Sequence, residues 1–247
     1  MFEGDKAPVI SVLMGRLGNC MFQAAAGKSY AEKMGRDFYV AFFDYKAFNS
    51  ENAIILSRFN WTIDIPDDRA DIRENPNRQY YPIPDFHDEL AVVLFGYYQD
   101  ERYFKREDVL EWYKSPYGMN QHIISKYGDI TDCVHISVRR GDYVDNGIAL
   151  GAEWYNEAYF QHFNGQRAVI CSDDIEWCKH NLKIPGAIFS DHESAMEDMY
   201  TGALCKDHIC YNGSFGWWSS YLGERPDSKI VIKDGYFKSL PEKWIPF

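Results

Sequence analysis

Positive charge is scarce in this 247-residue chain: 26 lysines and arginines face 37 aspartates and glutamates, for a net charge of −11. That balance excludes a broad basic face of the kind that follows a nucleic acid, so any anionic ligand has to be met by a few cations placed locally. Long hydrophobic runs are missing too. No window approaches the roughly 20 apolar residues that span a bilayer, and the N-terminus, MFEGDKAPVISVLMG, has no basic segment leading into an apolar one. The expectation is a chain without a transmembrane anchor, working in the cytoplasm. The six cysteines, at 20, 133, 171, 178, 205 and 210, include no C-x-x-C pair. Several sit inside apolar runs, so they read as reduced, buried hydrophobes rather than a disulfide framework. The histidines form no H-x-H or H-E-x-x-H arrangement, and no metal site is read from them. Two phosphate signatures are absent as well. Gly27-Lys28-Ser29 imitates the end of a phosphate loop, but Phe22 stands where its first glycine belongs, and Gly15-x-x-Gly18 is not the G-x-G-x-x-G of a dinucleotide fold.

What is present argues for a folded protein. A hydrophobic fraction of 46% with 17% aromatics offers ample apolar surface to bury. Short β-branched runs alternate with helical stretches, the pattern of parallel strands joined by crossover helices. PVISVLM (8–14) reads as a strand, NCMFQAAAGKSYAEKMG as a helix ending near Gly35, and DFYVAFF (37–43) as a second strand. The stretch 57–95, rich in Asp, Arg, Asn and Pro, sustains no period and is assigned as loop with short elements. From 132 the alternation resumes, with strands at CVHISV, RAVICS, GAIFS, HICYN and KIVIK and helices starting near Glu153, Asp173, Ser194 and Ser214. Asp173 with Glu176, and Ser194 with Glu197, have the spacing of capping boxes. No internal repeat is present. The fold class expected is α/β, two Rossmann-like halves facing a central cleft, divided at 1–130 and 131–247.

The stretch CVHISVRRGDYVDNG (133–147) holds the main functional signal. In an open parallel sheet ligands bind beyond the carboxyl ends of the strands, and Arg139 and Arg140 lie just past such an end. Two planar guanidinium forks suit a diphosphate. The alternative is that they point to opposite sides and pair with surface carboxylates; an adhesion tripeptide, RGD, is a third reading. The first βα junction, MGRLGN, is a glycine-flanked turn opening a helix at Asn19, where free N–H groups favour an anion or a sugar hydroxyl. The same glycines could serve turn geometry alone.

GRLGNCMFQAAAGKSYA, GYYQDERYF (96–104), VRRGDYV (138–144), SDDIEWCKHNL (172–182) and DMYTGALCKDHICYNGSFGWWSSYL (198–222) together resemble, in this order, the signature blocks of glycosyltransferase family 11, the α-1,2-fucosyltransferases. The resemblance implies a GT-B-type fold, with an N-terminal acceptor-side half and a C-terminal half that binds GDP-fucose. It implies an inverting, metal-independent transfer of L-fucose from GDP-fucose to the 2-hydroxyl of a terminal galactoside. The donor is a co-substrate, so no cofactor is expected. The acceptor expected is a galactose-terminated oligosaccharide or glycolipid in surface-glycan assembly, with peripheral contact at the inner face of the membrane. Residue by residue, Arg139 and Arg140 match the pair holding the donor diphosphate, and Gly18 with Asn19 match the turn facing the nucleotide sugar. Asp173 matches an acid near the guanine pocket, and Asn212, Ser214 and Phe215 the strand-to-helix turn beside the phosphates. Trp217 and Trp218 read as core beneath that turn. Asp142 is a candidate base, though the orienting of Arg139 or Arg140 is its favoured role; Asp44 is a lesser candidate base.

The chain departs from the family pattern in places. Ser137 stands where a histidine is usual, with His135 two residues back, and Cys20 stands where glutamine is usual. The chain is short, which suggests trimmed acceptor loops. No D-x-D occurs, the spacing by which metal-dependent sugar transferases hold a divalent ion. A non-catalytic nucleotide-sugar-binding module, or a transferase for another nucleotide sugar, are the alternatives.

Overall fold

The computed structural model of the protein describes residues 6–42, 57–191, 193–211 and 213–247. The chain forms two compact units, Met1–Lys114 with Phe237–Leu240, and Ser115–Tyr236 with Pro241–Phe247.

The first unit is built on a parallel sheet of β1 (Val9–Leu13), β2 (Phe38–Phe42), β3 (Asn60–Trp61), β4 (Arg69–Arg73) and β5 (Ala91–Phe95). The strands run in the order β3-β2-β1-β5-β4. Every residue of β1 is buried, as expected of a parallel strand covered on both faces. Helix α1 (Leu17–Met34) packs against it and ends at Gly35, whose φ of 61° is the left-handed cap that glycine allows. Gly27 is a packing glycine: a Cβ there would lie 2.1 Å from Ser11 Oγ and 2.6 Å from Phe38 Cε2. It lets helix and sheet approach closely, which accounts for the decoy Gly-Lys-Ser in mid-helix. Buried Gln23 closes the end of β1, its Oε1 accepting from Met14 N at 2.8 Å and its Nε2 donating to Met14 O at 3.1 Å. A single 3-10 turn at Glu101–Tyr103 and a short helix, α2 (Arg106–Trp112), complete the described helices of this unit.

The segment 57–95 contains more than its composition suggested. β5, with the sequence AVVLF, is a central strand whose Val92 pairs with Val9. Its ladder partners lie far away in the chain, so no local period announced it.

The second unit carries β6 (Val134–Val138), β7 (Ala168–Ser172), β8 (Ile188–Phe189), β9 (Asp207–Cys210), β10 (Ile230–Ile232) and β11 (Ile245–Pro246). All pairs are parallel, in the order β11-β10-β9-β6-β7-β8. This is the doubly wound order: the chain starts at the centre, runs out through β7 and β8, and returns to the other side of β6 at β9. Its helices are α3 (Met119–Tyr127), α4 (Gly141–Asp145), α5 (Ala152–His162), α6 (Ile175–Asn181), α7 (Ala195–Leu204) and α8 (Ser214–Gly223). Among the described residues no helix is long and apolar enough to cross a membrane.

The structure corrects three expectations. The boundary lies at 114/115 rather than 130/131, because α3 belongs with the second sheet. Lys126 on α3 holds Asp191 at 2.6 Å, Glu193 at 3.0 Å and Glu197 at 2.7 Å, tying α3 to the start of α7. The cap of α6 is Asp174, which accepts from Trp177 N at 3.1 Å; Asp173 is used elsewhere. Ser194 caps α7 as expected, accepting from Glu197 N, but the Glu197 carboxylate turns to Lys126 instead of reaching back. All six cysteines are free and buried, and burial pushes the thiols of Cys20 and Cys210 up to about 12.

His135 on β6 and His208 on β9 are register partners, both fully buried, their rings 5.7 Å apart. Burial pushes His135 down to about 3; burial, His135 and the Arg225 guanidinium push His208 well below its usual value. Both folded values lie below the unfolded one, so the unfolded chain binds more protons in acid. The stability this pair contributes is complete above pH 6.5 and falls as pH drops below it, by about 1.4 kcal/mol per pH unit for each histidine. Melting curves at pH 7.5 and 5.5 should show a clear loss at the lower value, and a loss reduced by half in H135L; a midpoint unchanged between the two pH values would refute this.

Candidate functional site

At the carboxyl edge of the second sheet three strands end side by side. Val138 of β6 is level with Ser172 of β7, and Ser137 with Cys210 of β9. The loops that follow them therefore emerge together, and the junction of β6 with β9 is where the winding reverses, the usual place for a ligand in such a sheet. Arg139 and Arg140 open the loop from β6.

The two arginines are held differently. Arg139 donates through Nη1 to Asp173 Oδ2 and through Nη2 to Asp142 Oδ1. Asp173 Oδ1 accepts from the Arg140 backbone N at 2.7 Å, so one carboxylate from the β7 loop ties down both the side chain of one arginine and the backbone of the next. The Arg140 guanidinium has no carboxylate within ion-pair distance among the described residues. It lies over the Trp177 ring with Cζ 3.9 Å from the centroid, and its Nη1 reaches Leu150 O at 3.4 Å. Its Nε is enclosed with no hydrogen-bond partner among the described residues. Pairing with carboxylates thus describes Arg139 and not Arg140.

Gly141 completes the turn. Its φ is +23°, and a Cβ would lie 2.4 Å from Asp173 Oδ2. Alanine there is expected to push Asp173 off the arginines, lowering affinity for an anionic ligand by about tenfold with a stability loss of about 1–3 kcal/mol. Calorimetric titration beside a thermal melt checks both numbers, and an unaltered G141A protein would mean that Asp173 does not hold the turn.

The loop after β9 contributes on the other side. Tyr211 donates to Ile148 O, and its ring lies 5.5 Å from that of Tyr143, joining this loop to the arginine loop. Gly216 seats α8 on the strand ends, since a Cβ there would be 3.0 Å from Ser137 Oγ and 3.3 Å from Cys210 Cβ. Ser214 and Phe215, half-buried, form the first turn of α8 at the reversal point, where the positive end of the helix dipole favours an anion. Asn212 and Asp44 lie outside the described residues. His135, sealed in the core beneath Gly202, does not reach this edge. Arg139 contacts both Asp142 and Asp173, Asp173 also contacts the backbone of Arg140, and Ser214 with Phe215 flanks the same edge.

Gly18 and Asn19 belong to the first unit. They sit in the first turn of α1, just past β1, and β1 beside β5 is the reversal point of that sheet. Gly15 takes φ +80° in the preceding turn, and Asn19 Oδ1 accepts from Gln99 Nε2 at 2.9 Å. Glu74 accepts from the amides of Tyr97 at 2.6 Å and Tyr98 at 2.9 Å, holding Tyr98 at φ 51° in the loop that presents Gln99. Sequence reading missed Trp177, Tyr143, Tyr211, Glu74 and Gln99 as site residues. Gln99 and Trp177 lie within the motif blocks GYYQD and SDDIEW, but nothing local distinguishes them from core or surface.

Among the described residues His122, Glu193 and Glu197 come close enough to share a cation. The Lys126 ammonium already lies against both glutamates, and the group serves the packing of α3 on α7.

The sequence model of Glycosyl transferase family 11 matches residues 77–240, more than half of the chain. An α-1,2-colitosyltransferase of Escherichia coli is 28% identical, the match covering 96% of this chain and 98% of that one. The O-antigen biosynthesis glycosyltransferase WbnK of Escherichia coli is 24% identical, with 95% and 94% covered. Among solved structures, the fucosyltransferase NodZ from Bradyrhizobium is similar with a TM-score of 0.59 at 13% identity, over 87% of this chain and 92% of that one. A NodZ α-1,6-fucosyltransferase co-crystallised with GDP gives a TM-score of 0.58 at 13% identity, with the same coverage. The fold class is α/β of the GT-B type.

Proposed function

The chain belongs to glycosyl transferase family 11, and from that premise we propose that it transfers a 6-deoxy-L-sugar, fucose in the first reading, from its GDP conjugate to the 2-hydroxyl of a galactose-terminated glycan, with inversion. The observation that supports this best is the arginine turn at the reversal point of the second sheet, with one guanidinium latched and the other uncommitted. In this reading the second unit binds the donor and the first unit faces the acceptor.

The chemistry follows from the residue types. The acceptor oxygen attacks the anomeric carbon, the bond from that carbon to the phosphate oxygen breaks, and negative charge grows on the departing GDP. Arg140 and Arg139 meet that charge with preorganised, charge-assisted hydrogen bonds, helped by the first turn of α8 at Ser214 and Phe215. Asp142 spends Oδ1 on orienting Arg139 and keeps Oδ2 for the proton of the acceptor hydroxyl. Asp173 acts here through the arginines rather than on the guanine, because both of its oxygens are engaged in the turn. Gly18 and Asn19, with Gln99, offer amide groups toward a sugar, and Asn212 remains a candidate for the phosphates.

Two cations placed for the leaving group make a divalent ion unnecessary in this reading, consistent with the absence of D-x-D from the sequence. Transfer from GDP-fucose to lactose should therefore proceed at an unchanged rate in excess chelator. A rate abolished by chelation and restored by a divalent cation would sink the metal-independent mechanism.

A second donor is favoured by one finding, the 28%-identical relative named for colitose. Colitose is fucose without its 3-hydroxyl, so the two GDP sugars present the same diphosphate and differ at one ring position. Competition between GDP-fucose and GDP-colitose, followed by analysis of product linkage by NMR, decides between them. Binding of GDP-sugar without transfer to any galactoside would leave only a binding module, and preference for UDP or ADP sugars would overturn the donor assignment.

A further inference from the structure

The geometry points to Trp177 as a positioning residue that holds the Arg140 guanidinium in place as the uncommitted cation of the arginine pair; this rests on the donor reading above.

The two arginines are not equivalent. Arg139 is shared between two carboxylates, Asp173 and Asp142, so much of its charge is answered before any ligand arrives. Arg140 carries no such partner, yet it is a long side chain with considerable rotamer entropy to lose. What orders it is the β7–α6 turn. Asp173 Oδ1 fixes its backbone N, and the Trp177 ring lies against its guanidinium at 3.9 Å. A stacked indole orders the guanidinium without accepting its N–H bonds and without cancelling its charge, because the attraction comes from the ring's quadrupole. A carboxylate in the same place would order the arginine and neutralise it. The Nη1 contact to Leu150 O, at 3.4 Å, is long, and Nε has no partner among the described residues, so no carboxylate holds the edge of this guanidinium.

Trp177 is itself fixed. Its backbone N donates to the Asp174 cap, its carbonyl accepts from Asn181 Nδ2 at 2.8 Å, and its ring packs against the core of the second unit. Work is therefore divided within the turn SDDIEW. Asp173 clamps the arginine turn, Asp174 starts the helix, and Trp177, one turn on, supplies the face on which Arg140 rests.

The test is a double-mutant cycle on the full chain, with GDP as the titrant in calorimetry. W177L is expected to weaken GDP binding roughly five- to thirtyfold, the range for loss of a half-desolvated cation–π contact. W177F, which keeps a π face, should stay within about threefold of the parent. In an R140A background W177L should cause no further loss, because a residue acting through Arg140 has nothing left to position. Should W177L fold poorly, W177Q removes the aromatic face while keeping a long side chain and takes its place in the cycle. Losses from R140A and the Trp177 variant that simply add, or a W177F protein as weak as W177L, overturn the inference and leave the donor reading standing. Coupled losses in GDP binding without transfer from any GDP sugar defeat the transfer reaction and leave Trp177 in its role; a parent chain that binds no GDP defeats both.

Discussion

Alanine at Arg139 and Arg140 together is expected to lower kcat/KM for transfer from a GDP sugar by at least about a thousandfold, since removing a single preorganised donor to a developing anion costs about 10²- to 10³-fold. The loss should fall mainly on the chemical step, because the charge these groups meet is larger on the departing diphosphate than on the bound donor. The single variants should differ. R140A removes the cation that no carboxylate answers, so it should weaken GDP binding and turnover together. R139A removes the shared partner of Asp173 and Asp142 and leaves the two carboxylates facing each other across an empty place, so it should also loosen the turn that positions Arg140. The two effects act as a unit and should not add. Steady-state kinetics with each variant, beside GDP titration, separates these outcomes. A double variant that turns over at the parent rate would mean that neither guanidinium meets the leaving group.

The second large effect is on stability. Trp218 is completely buried, with Trp217 5.0 Å away and Tyr221 at 5.9 Å, and Trp217 stacks on Tyr221 at 4.4 Å. Trp218→Ala should cost about 3–5 kcal/mol, the range for deleting a fully buried large aromatic. In a protein of this size that is a fall of roughly 6–20 °C in the thermal midpoint, taking about 2–4 °C per kcal/mol. The cavity would open under α8, whose first turn lies at the candidate site, so GDP affinity measured well below the new midpoint should fall as well. A melt unchanged by the substitution would mean the aromatic cluster does not support α8 as its burial indicates.

Much of the fold was legible because it is local. VISVL and VHISV are short runs rich in β-branched residues, and a strand buried on both faces of a parallel sheet reads that way. Ser194 before α7 and Gly35 after α1 are chemical punctuation read from single residues. AVVLF was not legible, since five apolar residues inside a polar, proline-rich stretch become a central strand only when β1 is alongside. The boundary was misplaced for a similar reason: α3 precedes its sheet in the chain, and its allegiance is set by Lys126 meeting acids about 70 residues later.

By itself, the sequence determined that the chain is an α/β protein of parallel strands and crossover helices with two adjacent guanidinium groups past the end of a buried strand, because periodicity and residue chemistry are properties of neighbouring positions. Which arginine is latched and which is open was decided by tertiary structure alone. Asp173 comes to Arg139 from 34 residues away, and Trp177 comes to Arg140 on the next helix, through the parallel pairing of β6 with β7. A charge has its meaning from what lies within a few ångströms of it, and only the folded sheet brings those groups together.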